Sequence, residues 1–243
     1  MKRIGYVKIN RIGCFFDQHC LPIYNIFMEQ KYFVVIADII NSKKIVERGE
    51  LQKTLEKTLK EVNEKKEGIV SPYTITLGDE FQAVYDKPDN IFSHIWHILE
   101  KVFPHKIRFS IGIGKITTNI NRKNALGMDG EAFYLARNGI ERLKEEKKVY
   151  FRINTEIPEI DLINNILKLI SSLIITWKKD RYKIFNYYRT GLKVKEIAEK
   201  LENEKEKSLT ERAIHKNIND GKLKEIIEIE NGILDILENK DKA

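Results

Sequence analysis

The stretch Tyr73–Tyr85, YTITLGDEFQAVY, constrains the fold more than any other part of this 243-residue chain. Two apolar runs with the composition of β-strands, Tyr73–Leu77 and Phe81–Val84, flank the triplet Gly78–Glu80. This pattern predicts a β-hairpin whose tight turn presents carboxylates. Because Gly-Asp is also ordinary turn chemistry, the hairpin by itself does not indicate a binding site.

A second apolar run, Tyr32–Asp38 (YFVVIAD), has the composition of a central strand buried on both faces. It ends in a carboxylate that a buried strand should not carry without a partner. If this strand lies beside the hairpin, Asp38 and Asp79 share one edge of the sheet. Two such carboxylates repel unless a cation lies between them, and oxygen ligands suit magnesium. We therefore expect a Mg²⁺ (or Mn²⁺) site whose ligands are Asp38, Asp79 and the backbone carbonyl of Ile39. Glu80 is an additional candidate ligand.

A polar, basic loop follows this first strand. Backbone N–H groups at a strand-to-helix junction, with lysines beside them, can cradle phosphate. A plain helix N-cap followed by solvated lysines fits the same residues about equally well. The candidate phosphate-binding residues are Asn41, Ser42, Lys43 and Lys44.

A later strand, Ile107–Ile116 (IRFSIGIGKI), alternates apolar residues with small or polar ones. Gly112 and Gly114 leave one face of this strand without side chains. Glycine normally weakens a strand, so its presence here needs a reason. Such glycines imply close approach by another backbone or by a ligand. We include both in the candidate nucleotide site.

The order of predicted elements indicates the fold class. Helices are expected at Glu50–Lys65, after Pro88, and at Glu131–Glu146, and a last short strand at Val149–Ile153. Together with the strands above they give an α+β, βαββαβ core, the ferredoxin-like arrangement with helices on one face of an antiparallel sheet. In such a sheet the first strand is central and lies beside the third, which brings Asp38 to the turn at Asp79.

Four motifs in this order carry a family resemblance. The segments are VVIADIINS, TLGDEFQAV, IRFSIGIGKI and GMDGEAFYLARNGIERL. They resemble motifs of the class III nucleotide cyclases and of the related GGDEF and polymerase-palm domains. More narrowly, the run from about Tyr32 to Arg152, together with the C-terminal tail, resembles the SatD family, in which such a domain precedes a helix-turn-helix. The resemblance implies a magnesium and nucleoside triphosphate site in the first domain.

The resemblance to active cyclases fails at specific positions. Where those enzymes place a base-reading lysine, this chain has Ile75. Their transition-state asparagine and arginine align with Tyr134 and Asn138. The charge that develops on a transferring phosphate would then lack its donor unless Arg137 or Arg142 substitutes, so these two are the candidate catalytic residues.

The C-terminal third is predicted to be all α-helical. Ile160–Trp177 is apolar nearly all round, which predicts burial between domains or at a homodimer interface. An ordinary core helix of the second domain explains it equally well. Helices at Lys178–Arg189, Val194–Leu201 and Leu209–Asp220 follow with the spacing of a helix-turn-helix. Its candidate DNA-binding residues are Thr210, Glu211, Arg212, His215 and Lys216.

Charge supports this prediction. Between Lys178 and Lys224 there are 14 Lys and Arg residues and 8 Asp and Glu residues. The net charge of this region is therefore +6, compared with +7 for the whole chain. Clustered cations fit phosphate contacts with duplex DNA. Glu204, Glu206 and Glu211 crowd the turn, however, and helix-turn-helix folds also serve as protein interaction modules.

Composition and chain ends set the remaining expectations. With 42% hydrophobic and 33% charged residues, two domains are expected, at 28–156 and 157–243. Residues 1–27 differ in sequence character from the rest of the chain and contain both cysteines, Cys14 and Cys20. We interpret them as an untranslated or flexible extension, with a genuine extra strand or arm as the alternative. Two cysteines and no long apolar run favour a cytoplasmic protein without membrane contact.

Two functions remain open at this stage. In one, the protein is a DNA-binding transcription regulator whose cyclase-like domain senses a magnesium nucleotide. In the other, it is an active nucleotidyl cyclase or a nucleotide-polymerising signalling enzyme. The departures at Ile75, Tyr134 and Asn138 favour the first.

Overall fold

A computed structural model describes residues 30–76, 78–204 and 209–239, and these residues form five β-strands and eight α-helices. The expected N-terminal extension, residues 1–27, lies outside the described residues. The strands are β1 (Tyr32–Ile39), β2 (Ile69–Ile75), β3 (Glu80–Tyr85), β4 (Ile107–Gly114) and β5 (Phe151–Asn154). The helices are α1 (Arg48–Lys65), α2 (Ile91–Lys101), α3 (Glu131–Glu145), α4 (Ile160–Ile174), α5 (Lys179–Arg189), α6 (Val194–Asn203), α7 (Glu211–Gly221) and α8 (Leu223–Asn239). A short 3-10 helix, Ser42–Lys44, lies between β1 and α1.

The strands form one mixed sheet in the order β2-β3-β1-β4-β5. Strand β1 is central, pairs antiparallel with both β3 and β4, and buries all five residues from Phe33 to Ala37. The predicted pairing of the first strand with the second strand of the hairpin is therefore confirmed. Strand β5 instead runs parallel to β4, because helix α3 connects the two as a crossover.

The prediction that the helices cover one face of the sheet is wrong for α3. Phe33, Val35 and Ala37 of β1 belong to the core that contains α1 and α2. Val34 and Ile36 pack on the opposite face, in a smaller core with Ala132, Ala136 and Ile140 of α3. Because β1 is apolar on both faces, both faces need a covering helix.

The glycines of β4 make room for α3. A Cβ atom on Gly112 would lie 2.1 Å from the carbonyl oxygen of Ala132 and 2.3 Å from the backbone nitrogen of Ala136. A Cβ atom on Gly114 would lie 2.6 Å from the carboxylate of Glu131. Of the two predicted reasons for these glycines, close approach by the protein itself accounts for them, and a ligand is not needed to explain them.

Within a single chain, helix α4 buries only one of its faces. One face packs on β5 through Ile163 and Leu167, and the Asn164 side chain pairs with the backbone N–H and C=O of Ile153 at 2.9 and 2.8 Å. On the opposite face Leu162 and Leu169 are 62% and 66% exposed. The intramolecular packing of α4 is thus that of an ordinary amphipathic helix.

The C-terminal helices continue the core of the sheet. An aromatic cluster forms around Trp96 of α2, whose ring stacks on Trp177 at a centroid distance of 5.6 Å. The other rings in contact with Trp96 are Phe151, Tyr182 and Phe185. Helix α8, which was not predicted from the sequence, joins this region through Glu230. Within the described ranges, no helix has both the length and the apolar content that crossing a membrane requires.

Candidate functional site

Strand register brings the predicted acidic residues to one edge of the sheet. Asp38, near the end of β1, lies opposite Glu80 on β3 and opposite Arg108 on β4. The turn before β3 is tied to β1 because the Ile39 N–H donates to the carbonyl of Asp79 at 3.0 Å. Gly78 adopts a left-handed conformation in this turn, with φ of 63°, which suits glycine. The predicted meeting of Asp38 and Asp79 at one sheet edge is therefore present.

An open cavity of about 300 Å³, here called the strand-end cavity, lies at this edge. Its lining residues are Asp38, Ile39, Asn41, Ser42, Lys43, Lys44, Asp79, Arg108 and Lys144. Seven of them were predicted from sequence, whereas Arg108 and Lys144 were not. With four cations against two carboxylates, the lining favours an anionic ligand.

Asp38 has a basic partner within the protein, contrary to the expectation that only an external cation would neutralise it. The Nη1 atom of Arg108 donates to Oδ2 of Asp38 at 2.8 Å, between side chains that are 17% and 13% exposed. Burial raises the pKa of the Asp38 carboxyl above its ordinary value, and the hydrogen bond from Arg108 opposes that rise. This pair was not predicted from the sequence, because it depends on the register of β4 against β1.

The other predicted metal ligands are held in different ways. The Ser42 hydroxyl donates to Oδ2 of Asp79, which fixes the 3-10 helix against the turn. Glu80 lies inside β3 and not in the turn, does not line the cavity, and accepts hydrogen bonds from Arg137 and from Thr76. Glu80 is therefore poorly placed as a reserve ligand.

With Glu80 set aside, the carboxylate oxygens of Asp38 and Asp79 suit a magnesium ion that is bound together with a phosphate ligand. Among the described residues there is no group of three or more His, Cys, Asp or Glu side chains that could hold a metal by itself. Mg²⁺ commonly uses one or two carboxylates and takes its other ligands from water and phosphate. Asp38 and Asp79 provide such a pair, and each hydrogen bond from Arg108 or Ser42 occupies one oxygen of its carboxylate.

The remaining nucleotide and catalytic candidates do not line this cavity. Gly112 and Gly114 lie under α3, and Arg137 is paired with Glu80. Arg142 is exposed on α3. Tyr134, at the position where active cyclases carry asparagine, is 60% exposed, and its hydroxyl donates to Asp129 at 3.1 Å. The structure thus brings Asp38, Asp79 and the loop 39–44 together, without Glu80, the two glycines or the catalytic candidates.

A basic face lies on α7 in the C-terminal region. Arg212, His215 and Lys216 are exposed, as is Glu211. The Thr210 hydroxyl caps the helix by accepting from the N–H of Ala213 at 3.2 Å, so this side chain has a structural role. These five residues are the predicted DNA-binding set.

The acidic turn before α7 is partly neutralised within the protein. Glu204 accepts hydrogen bonds from Lys183 and Tyr187 of α5, and these bonds lower the pKa of its carboxyl. The negative charge of Glu204 is therefore matched by Lys183. A groove of about 750 Å³ borders the basic face of α7, with Leu192 and Ile218 among its apolar lining residues and His215 among its polar ones.

Comparisons with known proteins place the chain in a family. Among solved structures, a bacterial light-regulated adenylyl cyclase resembles it with a TM-score of 0.35 and 17% sequence identity, over 51% of this chain and 74% of that chain. No curated protein matches the sequence. The sequence model of the SatD family matches residues 32–227. The chain therefore belongs to the SatD family.

Proposed function

We propose that this protein is a transcription regulator in which a cyclase-like domain of ferredoxin-like topology senses a nucleotide and a C-terminal helix-turn-helix binds duplex DNA. The observation that carries the proposal is the strand-end cavity. It unites two carboxylates with a loop of predicted phosphate-binding residues and with two further cations, Arg108 and Lys144. A cavity with this lining suits a phosphate ligand that brings a divalent cation with it.

Each part of the cavity has a separate task in this proposal. Asp38 and Asp79 would hold Mg²⁺, which neutralises part of the phosphate charge when it is bound. Lys43, Lys44 and Lys144 supply positive charge around the phosphates. Arg108 orients the Asp38 carboxylate, and Ser42 orients that of Asp79.

Sensing is favoured over turnover because the catalytic positions differ from those of working cyclases. Ile75 replaces the base-reading lysine, and Tyr134 replaces the asparagine. Arg137, the nearest substitute for the missing arginine, is already paired with Glu80. An enzyme that makes a cyclic or oligomeric nucleotide is the alternative function, and pyrophosphate release distinguishes it.

DNA binding is the second part of the proposal, and the exposed cations of α7 support it. Arg212 and Lys216 lie about one turn apart on the helix that a helix-turn-helix would place in the major groove. Helices α5 and α6 precede it and would complete the motif. The surplus of six positive charges between Lys178 and Lys224 would neutralise DNA phosphates.

A homodimer would present two copies of α7 to a two-fold DNA site. Its support is the exposed apolar face of α4, on which Leu162, Leu169 and Leu173 are 62%, 66% and 40% exposed. Light scattering at micromolar concentration is expected to give twice the monomer mass of 28.6 kDa. A result of one monomer mass would contradict the dimer without affecting the nucleotide site.

Calorimetry tests the nucleotide site. The full chain is titrated with ATP or GTP in the presence of Mg²⁺, and Asp38→Ala is compared with Asp86→Ala. Asp86 is the matched control because it follows β3 at the opposite end of the sheet from Asp38, away from the cavity. Loss of Mg²⁺-dependent binding in Asp38→Ala alone is the expected result. Equal binding by both variants would remove Asp38 from the site.

Selection from random duplex DNA tests the second part, again with the full chain, because the C-terminal helices share their core with the sheet. An enriched sequence is expected, with affinity that falls steeply as salt rises. Arg212→Ala or Lys216→Ala is expected to cost about 1–3 kcal/mol where the side chain contacts a base, unequally between sequences. Lys60→Ala, an exposed cation on α1 outside this region, is the control. No enrichment together with rapid pyrophosphate release would favour the enzyme.

A further inference from the structure

Both edges of the sheet are closed by an asparagine side chain. At the β2 edge, Nδ2 of Asn63 donates to the Tyr73 carbonyl at 3.0 Å, and the Tyr73 N–H donates to Oδ1 of Asn63 at 2.7 Å. At the β5 edge, Asn164 pairs with the backbone of Ile153 in the same way. Each asparagine takes the donor and the acceptor that an added strand would use. A second copy of the chain would therefore need a surface other than the sheet edges.

The exposed face of α4 has the residue spacing of a helix-pairing seam. Its apolar residues follow one another at intervals of four, three and four positions, and they are Leu162, Ile166, Leu169 and Leu173. Across the described residues, three of the six exposed large apolar side chains lie in this row, which marks it as an interaction surface. Alternating intervals of three and four form the contact line of paired helices. The face therefore suits another helix with the same pattern.

Charge along this seam does not oppose self-association. From Leu162 to Leu173 the one charged residue is Lys168, and its charge is matched by Glu146 at 3.3 Å. Asn165 is exposed on the same helix and is uncharged. Like charges that face each other across an interface oppose association. A second copy of α4 fits this face without such repulsion.

The two ends of α4 carry opposite charge. Glu156 and Asp161 are exposed at its N-terminal end, and Lys178 and Lys179 are exposed just beyond its C-terminal end. In an antiparallel pair each acidic end lies beside the basic end of the partner helix, and the two helix dipoles are opposed. A parallel pair would bring like charges together at both ends. The charge distribution therefore favours an antiparallel pair.

We infer that two copies of this protein associate through antiparallel contact between their α4 helices, with Leu162 of each copy against Leu173 of the other. This register places a two-fold axis between Ile166 and Leu169. The inference rests on the proposed homodimer, and it specifies the surface and the orientation through which that dimer forms. The interface is separate from the strand-end cavity, whose lining includes no residue of α4.

Light scattering with charged variants tests the surface. The full chain is measured over a range of micromolar concentrations as wild type, Leu169→Glu and Leu126→Glu. Leu126 is the matched control, because it is an exposed leucine in the loop before α3. Leu169→Glu is expected to raise the dissociation constant of the dimer about 100-fold, because the contact would bury two copies of the carboxylate beside the axis. The control is expected to dimerise as wild type, and thermal unfolding checks that every variant is folded.

Disulfide formation tests the orientation. Leu162→Cys, Leu173→Cys and the double variant are made in the full chain together with Cys14→Ser and Cys20→Ser, so that the introduced thiols are the only ones. In the antiparallel register the two different sites face each other, whereas two copies of one site lie about 16 Å apart along the helix. A disulfide needs Cα atoms closer than about 7 Å. Mild oxidation is therefore expected to give a covalent dimer of the double variant and none of either single variant.

Three results would contradict the inference. Covalent dimers of the single variants, formed as readily as those of the double variant, would indicate parallel helices and overturn the orientation. A dimeric wild type with an equally dimeric Leu169→Glu variant would overturn the α4 interface and leave the proposed homodimer standing. A monomeric wild type would overturn both.

Discussion

Two arginine–carboxylate pairs in this protein have similar chemistry and different surroundings. In the core, Glu230 of α8 is 2% exposed, and its two carboxylate oxygens accept from Trp96 of α2 and from Arg189 of α5. At the strand ends, Asp38 pairs with Arg108, whose Nε has no partner. In the core pair, each carboxylate oxygen of Glu230 has a partner within the protein. In the strand-end pair, the Nε donor of Arg108 has no acceptor within the protein.

This difference separates a structural role from a binding role. The Glu230 pair joins three helices beside the aromatic cluster around Trp96, and the Glu230 carboxylate is buried. The Asp38 pair borders an open cavity with a surplus of positive charge. We therefore expect substitutions at the first pair to change stability and those at the second to change ligand binding.

The largest effect is expected for Glu230→Ala. Removing one partner of a buried ion pair leaves Arg189 uncompensated and takes an acceptor from Trp96, which costs about 3–5 kcal/mol of unfolding free energy. Urea unfolding measures this loss. Glu228→Ala, on the same helix with its side chain 64% exposed, is the control and should change stability by less than about 0.5 kcal/mol. Equal losses in both variants would remove the contrast between the two pairs.

A second stability effect concerns His94, another polar residue of α2. Its ring lies 2.8 Å from the Tyr85 hydroxyl and 3.2 Å from the Glu67 carboxylate, and burial lowers its pKa to about 4. The unfolded chain takes up this proton near pH 6.5, and the folded chain resists it until about pH 4. Stability is therefore expected to fall as pH falls between these values.

The size of this loss is at most about 3 kcal/mol. Urea unfolding of wild type and His94→Gln at pH 7 and pH 5 measures it. The glutamine variant should lose less stability than wild type between these two pH values. A wild-type stability that rises as pH falls would show that the Glu67 carboxylate outweighs burial.

Much of the fold was predictable because apolar periodicity and turn chemistry are local signals. Strand β1 and helices α1 and α3 were predicted within two residues of their observed bounds. The side of the sheet that α3 covers was not predicted, since that depends on packing against Gly112 and Gly114. Helix α8 was not anticipated either, although it supplies Glu230 to the core.

The candidate site was predictable in part for the same reason. Asp38 and Asp79 stand out because each ends or follows an apolar strand. Arg108 and Lys144 join them only after β4 pairs with β1 and α3 crosses the sheet. The ion pair that occupies Asp38 is a product of strand register, which a list of carboxylates along the chain does not give.

A smaller effect on stability is expected for Asp38→Asn. The amide oxygen still accepts from Arg108, and the substitution removes a carboxylate whose pKa burial raises. The unfolding free energy should therefore change by less than about 1 kcal/mol. Mg²⁺-dependent ATP binding should fall more than about 10-fold, because an amide is a much poorer magnesium ligand than a carboxylate. A loss of stability as large as that of Glu230→Ala would make Asp38 a structural residue like Glu230.

The smallest effect is expected for Lys144→Ala, which tests whether the charge of the cavity matters beyond the Asp38 pair. Lys144 is 39% exposed and pairs with Glu141 at 2.9 Å, so its contribution to stability should be less than about 0.5 kcal/mol. It lines the cavity, and a partly screened charge there should change pyrophosphate affinity about 3-fold.

Lys168→Ala is the control, because Lys168 is also exposed and also pairs with a glutamate, at 3.3 Å, outside the cavity. Calorimetry at two salt concentrations should show a shallower salt dependence for Lys144→Ala than for Lys168→Ala, because only Lys144 acts on the bound anion. Equal affinity and equal salt dependence in the two variants would confine recognition to Arg108 and the loop after β1.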